Sequence, residues 1–455
     1  VRLSSGALDR LPVGVARFGY DRDAQMTGIV HFGIGAFHRA HQAWYTDRAM
    51  DAGDRDWMMT GVSLRSGAVA AQMNPQDGLY TVAERSSAGT VCRVVGAVRE
   101  VLVASEQPEA VIALLAMPTT RIASFTITEK GYCRAGDGSL DLTLAHSQSV
   151  YFYLTQGLLR RRAAGLPGLT LLSCDNLADN GRQLDRLMRA YLAQHEPGLV
   201  DWFDAECACP ATMIDRIVPA TTDADREAVM QAIGMDDAAA VVTEPFSQWV
   251  IEDRFAGPRP AWERVGATLV ADVAPYETAK LRMLNGAHSA LAYCGLARGH
   301  RFVHEAVRDP VLRALADAVM RREAMPTIAA APGQDLNAYA DALLARFANP
   351  ALQHRLIQIA MDGSQKIPQR WLETLAVNQT AGWTCPALLS AAGAWLRHLH
   401  GDNGAVDDPM GPQLTALWHG HDAVGVAAAL FGERGVFAGT WVATAEDLRE
   451  IAAGV

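Results

Sequence analysis

The stretch Gly28-Ile-Val-His-Phe-Gly-Ile-Gly-Ala-Phe-His-Arg-Ala-His-Gln42 decides how the N-terminal half of this chain folds. Gly28 to Phe32 is a short apolar run ending in glycines, and Ala36 to Met50 reads as a helix, so the order is strand, tight turn, helix. In such a turn the first glycine permits the bend, and the second lets a pyrophosphate approach the backbone at the helix N-terminus. Gly33-x-Gly35 supplies both. His38 stands where a third glycine, the one that packs helix against strand, is expected. Taken alone, the stretch has three readings: a dinucleotide turn, a metal site, or a glycine-rich turn without a ligand.

A second strand, Trp57-Met-Met-Thr-Gly-Val-Ser-Leu64, follows at the spacing of a βαβ unit. It runs into Arg65-Ser66 rather than the acidic residue that usually reads the adenosine ribose, which leaves NADP open beside NAD. Asp77 is a carboxylate that could still fold back to that place. Two later apolar runs, Arg121 to Ile127 and Leu169 to Cys174, end in Thr128-Glu129-Lys130 and Asp175-Asn176. Ligands of open α/β sheets gather outside the carboxyl ends of strands. Phe37, His38, Arg65, Glu129 and Lys130 therefore join Gly33 and Gly35 as expected cofactor contacts.

His31, His38 and His41 invite a metal reading, with the last two about one helical turn apart. No carboxylate or cysteine sits at ligand spacing beside them, and no His-Glu-x-x-His occurs, so the expectation is ligand-lining or hydrogen-bonding histidines and no metal. Cys207-x-Cys209 lacks a second pair and reads as two ordinary thiols.

A chain of 455 residues exceeds what one hydrophobic core supports. After Val273 the strand signals fade and helix-length periodic segments take over. The expected class is α/β: a Rossmann-like NAD-binding domain at residues 1–272, then a mostly α-helical substrate and catalytic domain at 273–455. The 40 Lys+Arg against 50 Asp+Glu give a net charge of −10, which argues against nucleic acid as a partner. Val1-Arg-Leu-Ser-Ser-Gly6 lacks the pattern of a signal peptide, and no apolar run approaches the ~18 residues of a membrane span. Seven scattered cysteines form no disulfide framework. The expectation is a cytoplasmic protein with a small-molecule partner, a monomer or small homo-oligomer.

The most informative segment is Pro275-Tyr-Glu-Thr-Ala-Lys-Leu-Arg-Met-Leu-Asn-Gly-Ala-His288. On an α-helix Glu277, Lys280, Leu281, Leu284, Asn285 and His288 fall within an arc of about 140°. An ordinary soluble helix turns an apolar stripe inward and its charges to water. Here a carboxylate, an amine, an amide and an imidazole share that stripe, which is costly unless they are paired or used. Tyr276-x-x-x-Lys280 also matches the tyrosine–lysine pair of short-chain dehydrogenases, but the Thr-Gly-x-x-x-Gly turn that goes with it is absent. A Gly-x-Ser-x-Gly elbow and a Walker A loop are missing too.

Seven blocks stand in order along the chain: Gly33 to Gln42, Gln76-Asp-Gly-Leu-Tyr80, Thr128-Glu-Lys-Gly-Tyr132, Ser173-Cys-Asp-Asn176, Asp215-Arg-Ile-Val-Pro219, Gln248 to Asp253 and Lys280 to His288. Together they resemble the long-chain mannitol dehydrogenase family, and the resemblance covers nearly the whole chain. It implies metal-independent oxidation of a secondary alcohol of a polyol or aldonate, with NAD as cofactor. Carried onto matching positions, it implies Lys280 as general base and Asn176 and Asn285 as donors to the oxyanion. It further implies Glu277 as a proton relay, His288 as a ligand of a substrate hydroxyl and Asp215 as a polar neighbour of the site. An amine acts as base near neutrality only if its pKa falls below ~10.4, which desolvation beside Leu281 and Leu284 favours and a nearby ionised Glu277 opposes.

The block Gln358-Ile-Ala-Met-Asp-Gly-Ser-Gln-Lys-Ile-Pro-Gln-Arg370 carries Gln358 where the mannitol-specific pattern has arginine, and is similar to the fructuronate reductase branch. The implied substrates are D-mannonate and D-fructuronate, with Lys366 and Arg370 meeting the carboxylate. Mannitol, arabinitol or sorbitol are the alternative substrates. A non-catalytic NAD(H)-binding sensor is the reading from another class.

Overall fold

A computed structural model describes residues 1–145 and 148–455 of the chain. They form two compact units, Val1–Val273 and Ala274–Val455.

The first unit is organised by five parallel strands: β1 (Thr27–Phe32), β2 (Met58–Ser63), β3 (Val98–Val103), β4 (Ile122–Phe125) and β5 (Thr170–Ser173). Their order across the sheet is β3-β2-β1-β4-β5. The apolar runs of the sequence follow from this, because an all-parallel sheet is covered on both faces. Five of the six residues of β1 and all four of β4 are buried. The strand order reverses between β1 and β4, which is where doubly wound sheets open a crevice for a ligand.

The expected single helix Ala36–Met50 is two helices, α1 (Ala36–Ala40) and α2 (Gln42–Asp51). His41 breaks them apart with φ −124° and ψ −96°. The break lets its ring stack on Phe37 at 5.1 Å and meet Tyr45 and Trp249 edge-on at 5.3 and 5.4 Å. Further strands complete the unit, including β6 (Thr212–Asp215), β7 (Gln248–Glu252) and β8 (Thr268–Val270), which form a sheet of order β8-β7-β6. Asn180, at the start of α3 (Asn180–His195), ties β5 to β6: its amide donates to Asp175 O and Thr212 O, both at 3.0 Å, and accepts from Thr212 N at 2.9 Å.

The second unit has no named strand among its described residues. Helix α4 (Ala274–Ala279) continues through a π-helical turn, Lys280–Asn285, into α5 (Gly286–Ala297). Ala287, Ala290, Leu291, Ala292 and Gly295 make α5 slender enough to be buried on most of its circumference. A Cβ on Gly295 would lie 2.6 Å from Leu356 Cδ1, so the neighbouring segment packs directly on the backbone. Two more π turns, Val319–Ala324 and Pro368–Leu372, pack against Lys280–Asn285. The Trp371 indole N–H donates to Gly286 O at 3.0 Å, which satisfies a carbonyl at the π-to-α junction.

Candidate functional site

The two glycines of the first turn have different reasons for being glycine. Gly33 has φ +91°, and a Cβ there would sit 2.0 Å from Thr126 O, so the backbone itself forbids a side chain. Gly35 is exposed, has φ −78°, and its nearest atom to an added Cβ is 3.9 Å away. Nothing within the protein demands a glycine at that point. Open space at the entry to α1 is what close approach of a pyrophosphate requires.

Gly33 and Gly35 line a cleft of about 310 Å³ with Ser63 and Ser66. Arg65, Glu129 and Lys130 line a second of about 800 Å³. Leu64, Ile127 and Thr128 line both, so the two form one groove outside the carboxyl ends of β1, β2 and β4. Its size and position fit a dinucleotide. Thr128 holds φ +62°, an uncommon and strained state for a β-branched residue. Asp175 keeps it there: its carboxylate accepts from Ile127 N at 3.0 Å, Thr128 N at 2.9 Å and the Tyr132 hydroxyl at 2.8 Å. Burial pushes the Asp175 carboxyl up, and those hydrogen bonds pull it back. This positioning role was not visible in the sequence, where Asp175 was only a polar strand tip.

One expected cofactor contact is corrected. His38 is 0 % exposed, and its ring stacks on that of His31 with centroids 3.3 Å apart. A side chain with no accessible surface has none to offer a ligand. Burial holds His38 well below the usual imidazole range and pushes His31 down to about 3, so both rings are neutral core groups. His31 bonds Ser124 Oγ at 2.8 Å and Thr126 Oγ1 at 2.9 Å. Phe37 stacks on His41 and lines neither cleft. Among the described residues no three His, Cys, Asp or Glu side chains converge as metal ligands.

Asn176 is exposed and follows Asp175 at the tip of β5, while Asp215 is buried at the end of β6, opposite Gln248. In the second unit Glu277, Lys280, Asn285 and His288 are all partly buried. Their spacing differs from the α-helical expectation. At 3.6 residues per turn Lys280 and Asn285 would stand about 140° apart. The π turn bonds residue i to i+5, so these two, its first and last residues, stack along the axis instead.

His288 stacks on Phe347 at 5.3 Å and meets His354 edge-on at 4.9 Å. Burial first, then the nearby His354, Arg370, Arg346 and Lys366, hold His288 well below its ordinary value. A neutral ring carries one donor and one acceptor, which suits a sugar hydroxyl. Arg370 donates to Ser289 Oγ at 2.8 Å, and burial pushes its guanidinium down to about 10. Lys366 donates to Met361 O at 2.5 Å and stands 3.7 Å from Asp362 Oδ2. His354 and Arg346, the neighbours of His288, were not singled out in the sequence. The available signal was Arg346 among Leu343, Leu344 and Phe347, a buried cation on the apolar face of helix α6 (Leu336–Phe347).

The first unit carries a groove that fits a dinucleotide, as a nicotinamide-dependent dehydrogenase requires, and the second unit carries a lysine, an amide and an imidazole on one helix. The chain belongs to the mannitol dehydrogenase family: the Mannitol dehydrogenase Rossmann domain matches residues 27–264 and the Mannitol dehydrogenase C-terminal domain residues 272–444. It is 40% identical over 447 residues to D-mannonate oxidoreductase of Escherichia coli (strain K12), spanning 93% of this chain and 91% of the relative. It is 39% identical over 422 residues to a mannitol 2-dehydrogenase of Pyrenophora tritici-repentis (strain Pt-1C-BFP), spanning 87% and 74%. The Pseudomonas fluorescens mannitol 2-dehydrogenase, solved as a ternary complex with NAD and D-mannitol, superposes with a TM-score of 0.81 at 36% identity, covering 100% of this chain and 96% of that one. The chain is an oxidoreductase acting on CH–OH groups with a Rossmann domain for a nicotinamide cofactor, which in the Pseudomonas fluorescens complex is NAD. Among the described residues no helix is long and apolar enough to cross a membrane.

Proposed function

We propose that the chain interconverts a secondary alcohol and a ketone of an open-chain sugar acid, with D-mannonate and D-fructuronate as the best-fitting pair. The observation that carries this reading is the cationic surround of His288, made by Arg370, Arg346 and Lys366; Gln358, where the mannitol-specific pattern has arginine, agrees with it. The 40% identity to a D-mannonate oxidoreductase supports it.

When bound, the nicotinamide supplies or accepts the hydride. Gly33, Gly35, Arg65, Glu129 and Lys130 bind the dinucleotide, and the first two let its phosphates reach the backbone. In the reducing direction the amides of Asn176 and Asn285 donate to the oxygen that becomes an alkoxide, which favours that state over the ground-state ketone. Lys280 then gives its proton to the alkoxide, and in oxidation removes the same proton. Glu277 exchanges protons between Lys280 and solvent. His288 holds a substrate hydroxyl, Asp215 supplies a polar neighbour, and Lys366 and Arg370 meet the carboxylate.

A polyol substrate such as mannitol, arabinitol or sorbitol is the second reading, supported by the 39% identity to a mannitol 2-dehydrogenase. The test is loss of absorbance at 340 nm with D-fructuronate, D-tagaturonate, D-fructose and D-xylulose, each against NADH and NADPH. The expected result is a kcat/KM at least tenfold higher for a uronate than for fructose. A fructose preference installs the polyol reading, and NADH binding without turnover on any ketose installs a sensor.

A further inference from the structure

We propose that the groove of the first unit takes a 2′-phosphate on the adenosine ribose, met by Arg65, so that NADP(H) binds as well as NAD(H); this rests on the dinucleotide reading of that groove. In a doubly wound sheet the residues at the end of the second strand read the 2′ position: an acid accepts from the hydroxyl, whereas an arginine meets the phosphate. Strand β2 ends at Ser63 and runs into Leu64-Arg65-Ser66. Arg65 is exposed and lines the larger cleft, and Ser66 lines the smaller. The nearest acids along the chain are Asp56 and Asp77, with no Asp or Glu between them. Both stand at the far end of the sheet. Asp56 precedes β2, and its carboxylate accepts from Met26 N at 2.9 Å, just before β1. Asp77 accepts from Ser5 N at 2.9 Å, and a Cβ on its neighbour Gly78 would lie 2.3 Å from the O of Val98, the first residue of β3. Because β3 runs parallel to β2, the length of a strand, roughly 16 Å, separates Asp77 from the carboxyl ends.

The charges of the two clefts differ. The glycine cleft has no ionisable residue in its lining, so the backbone at Gly33 and Gly35 receives the pyrophosphate unaided by side-chain charge. The larger cleft is lined by Arg65, Lys130 and Arg134 against one carboxylate, Glu129. Among the described residues none of the three cations has a carboxylate at ion-pair distance. The Arg65 charge is felt across that cleft at Cys133, whose thiol it pulls down against burial. A ribose hydroxyl offers this wall one neutral oxygen. A phosphate offers negative charge and several acceptor oxygens, which suit the fork of a guanidinium. Glu129 opposes the phosphate, but the wall stays net positive.

The test is fluorescence titration of NADPH and NADH into the full wild-type chain, Arg65→Gln and Ser66→Asp, with no sugar present. Both positions are exposed, and aspartate keeps the acceptor that Ser66 Oγ offers Ala68 N at 3.2 Å, so both variants fold. The wild type is expected to bind NADPH with a Kd no more than threefold above that for NADH, and to lose NADPH more steeply as salt rises. Arg65→Gln is expected to lose at least fivefold more affinity for NADPH than for NADH. Ser66→Asp, which returns an acid to the end of β2, shifts the preference at least fivefold toward NADH. A wild type that binds NADH more than threefold tighter overturns the subsite and leaves the ribose hydroxyls to Glu129. A smaller difference in Arg65→Gln also overturns it, because the guanidinium then meets a group that both nucleotides share. Binding of neither nucleotide refutes the dinucleotide reading itself, an outcome distinct from failure of the 2′ subsite alone.

Discussion

Lys280 and Asn285 are the first and last residues of one π-helical turn, so the proposed general base and the proposed oxyanion donor, five residues apart, are stacked rather than splayed. The turn is held by its neighbours: Arg282 donates to Thr327 O at 2.9 Å and pairs with Glu373 at 3.4 Å. If Asn285 donates only to the developing alkoxide, Asn285→Ala lowers kcat by roughly 10²–10³ and leaves KM nearly unchanged. Steady-state kinetics on the best ketose check this. A loss confined to KM assigns Asn285 to ground-state binding instead.

The two turn glycines separate fold from function. Gly33→Ala forces a side chain at φ +91° into Thr126 O, so thermal stability and NADH binding fall together. Gly35→Ala meets nothing within 3.9 Å. Its melting temperature stays within about 2 °C of wild type, a shift that for a protein of this size corresponds to under ~1 kcal/mol, while NADH affinity drops at least fivefold. Fluorescence titration alongside a thermal melt gives both numbers, and unchanged NADH affinity in Gly35→Ala removes the pyrophosphate from that turn.

Asp175 holds the 127–128 turn through two backbone N–H groups. Asparagine offers one acceptor oxygen and turns an N–H₂ toward the other donor, so Asp175→Asn costs about 1–3 kcal/mol of stability. Because Ile127 and Thr128 line both clefts, NADH affinity falls with it while kcat at saturating NADH changes little. Calorimetry of NADH binding settles the point; full affinity in the variant means that the strained Thr128 backbone does not shape the groove.

Glu323 gives a pH signature in the second unit. Its buried carboxylate caps helix α7 (Pro386–His400), accepting from Ala387 N at 2.7 Å and Leu388 N at 2.8 Å, and burial pushes it up from 4.5 to about 7. The folded protein thus holds this proton after the unfolded chain has released it. Stability from this group is fully present below pH ~4.5, declines as pH rises to about 7 and is level above, a loss of roughly 3 kcal/mol at most. Glu323→Gln lacks that decline. Urea midpoints at pH 5 and pH 8 should differ less in the variant than in wild type, and equal differences would place the Glu323 pKa near its ordinary value.

Much of the first unit was legible because its physics is local. Buried parallel strands read as unbroken apolar runs, and Gly33 announces its positive φ by being glycine. The break at His41 was not legible, since it serves ring contacts with Trp249, more than 200 residues away. The π turn was hidden for another reason: over six residues, hydrophobic spacing does not distinguish π from α. His38 reads from the sequence as a cofactor contact at the place of a third glycine, and only the stacking against His31 and its burial show that it is enclosed. His354 reaches the His288 ring through the 352–356 segment, whose bonds to Arg301 and Val303 no short motif records.

The most direct measurement is turnover of Lys280→Ala against Tyr276→Phe on the best ketose, with NADH affinity measured for each. A general base on Lys280 requires that Lys280→Ala lose at least ~10²-fold in kcat with NADH affinity unchanged, while Tyr276→Phe stays within a few-fold of wild type. Full activity in Lys280→Ala, with the loss appearing in Tyr276→Phe, would move the proton chemistry to Tyr276 and refute the assignment.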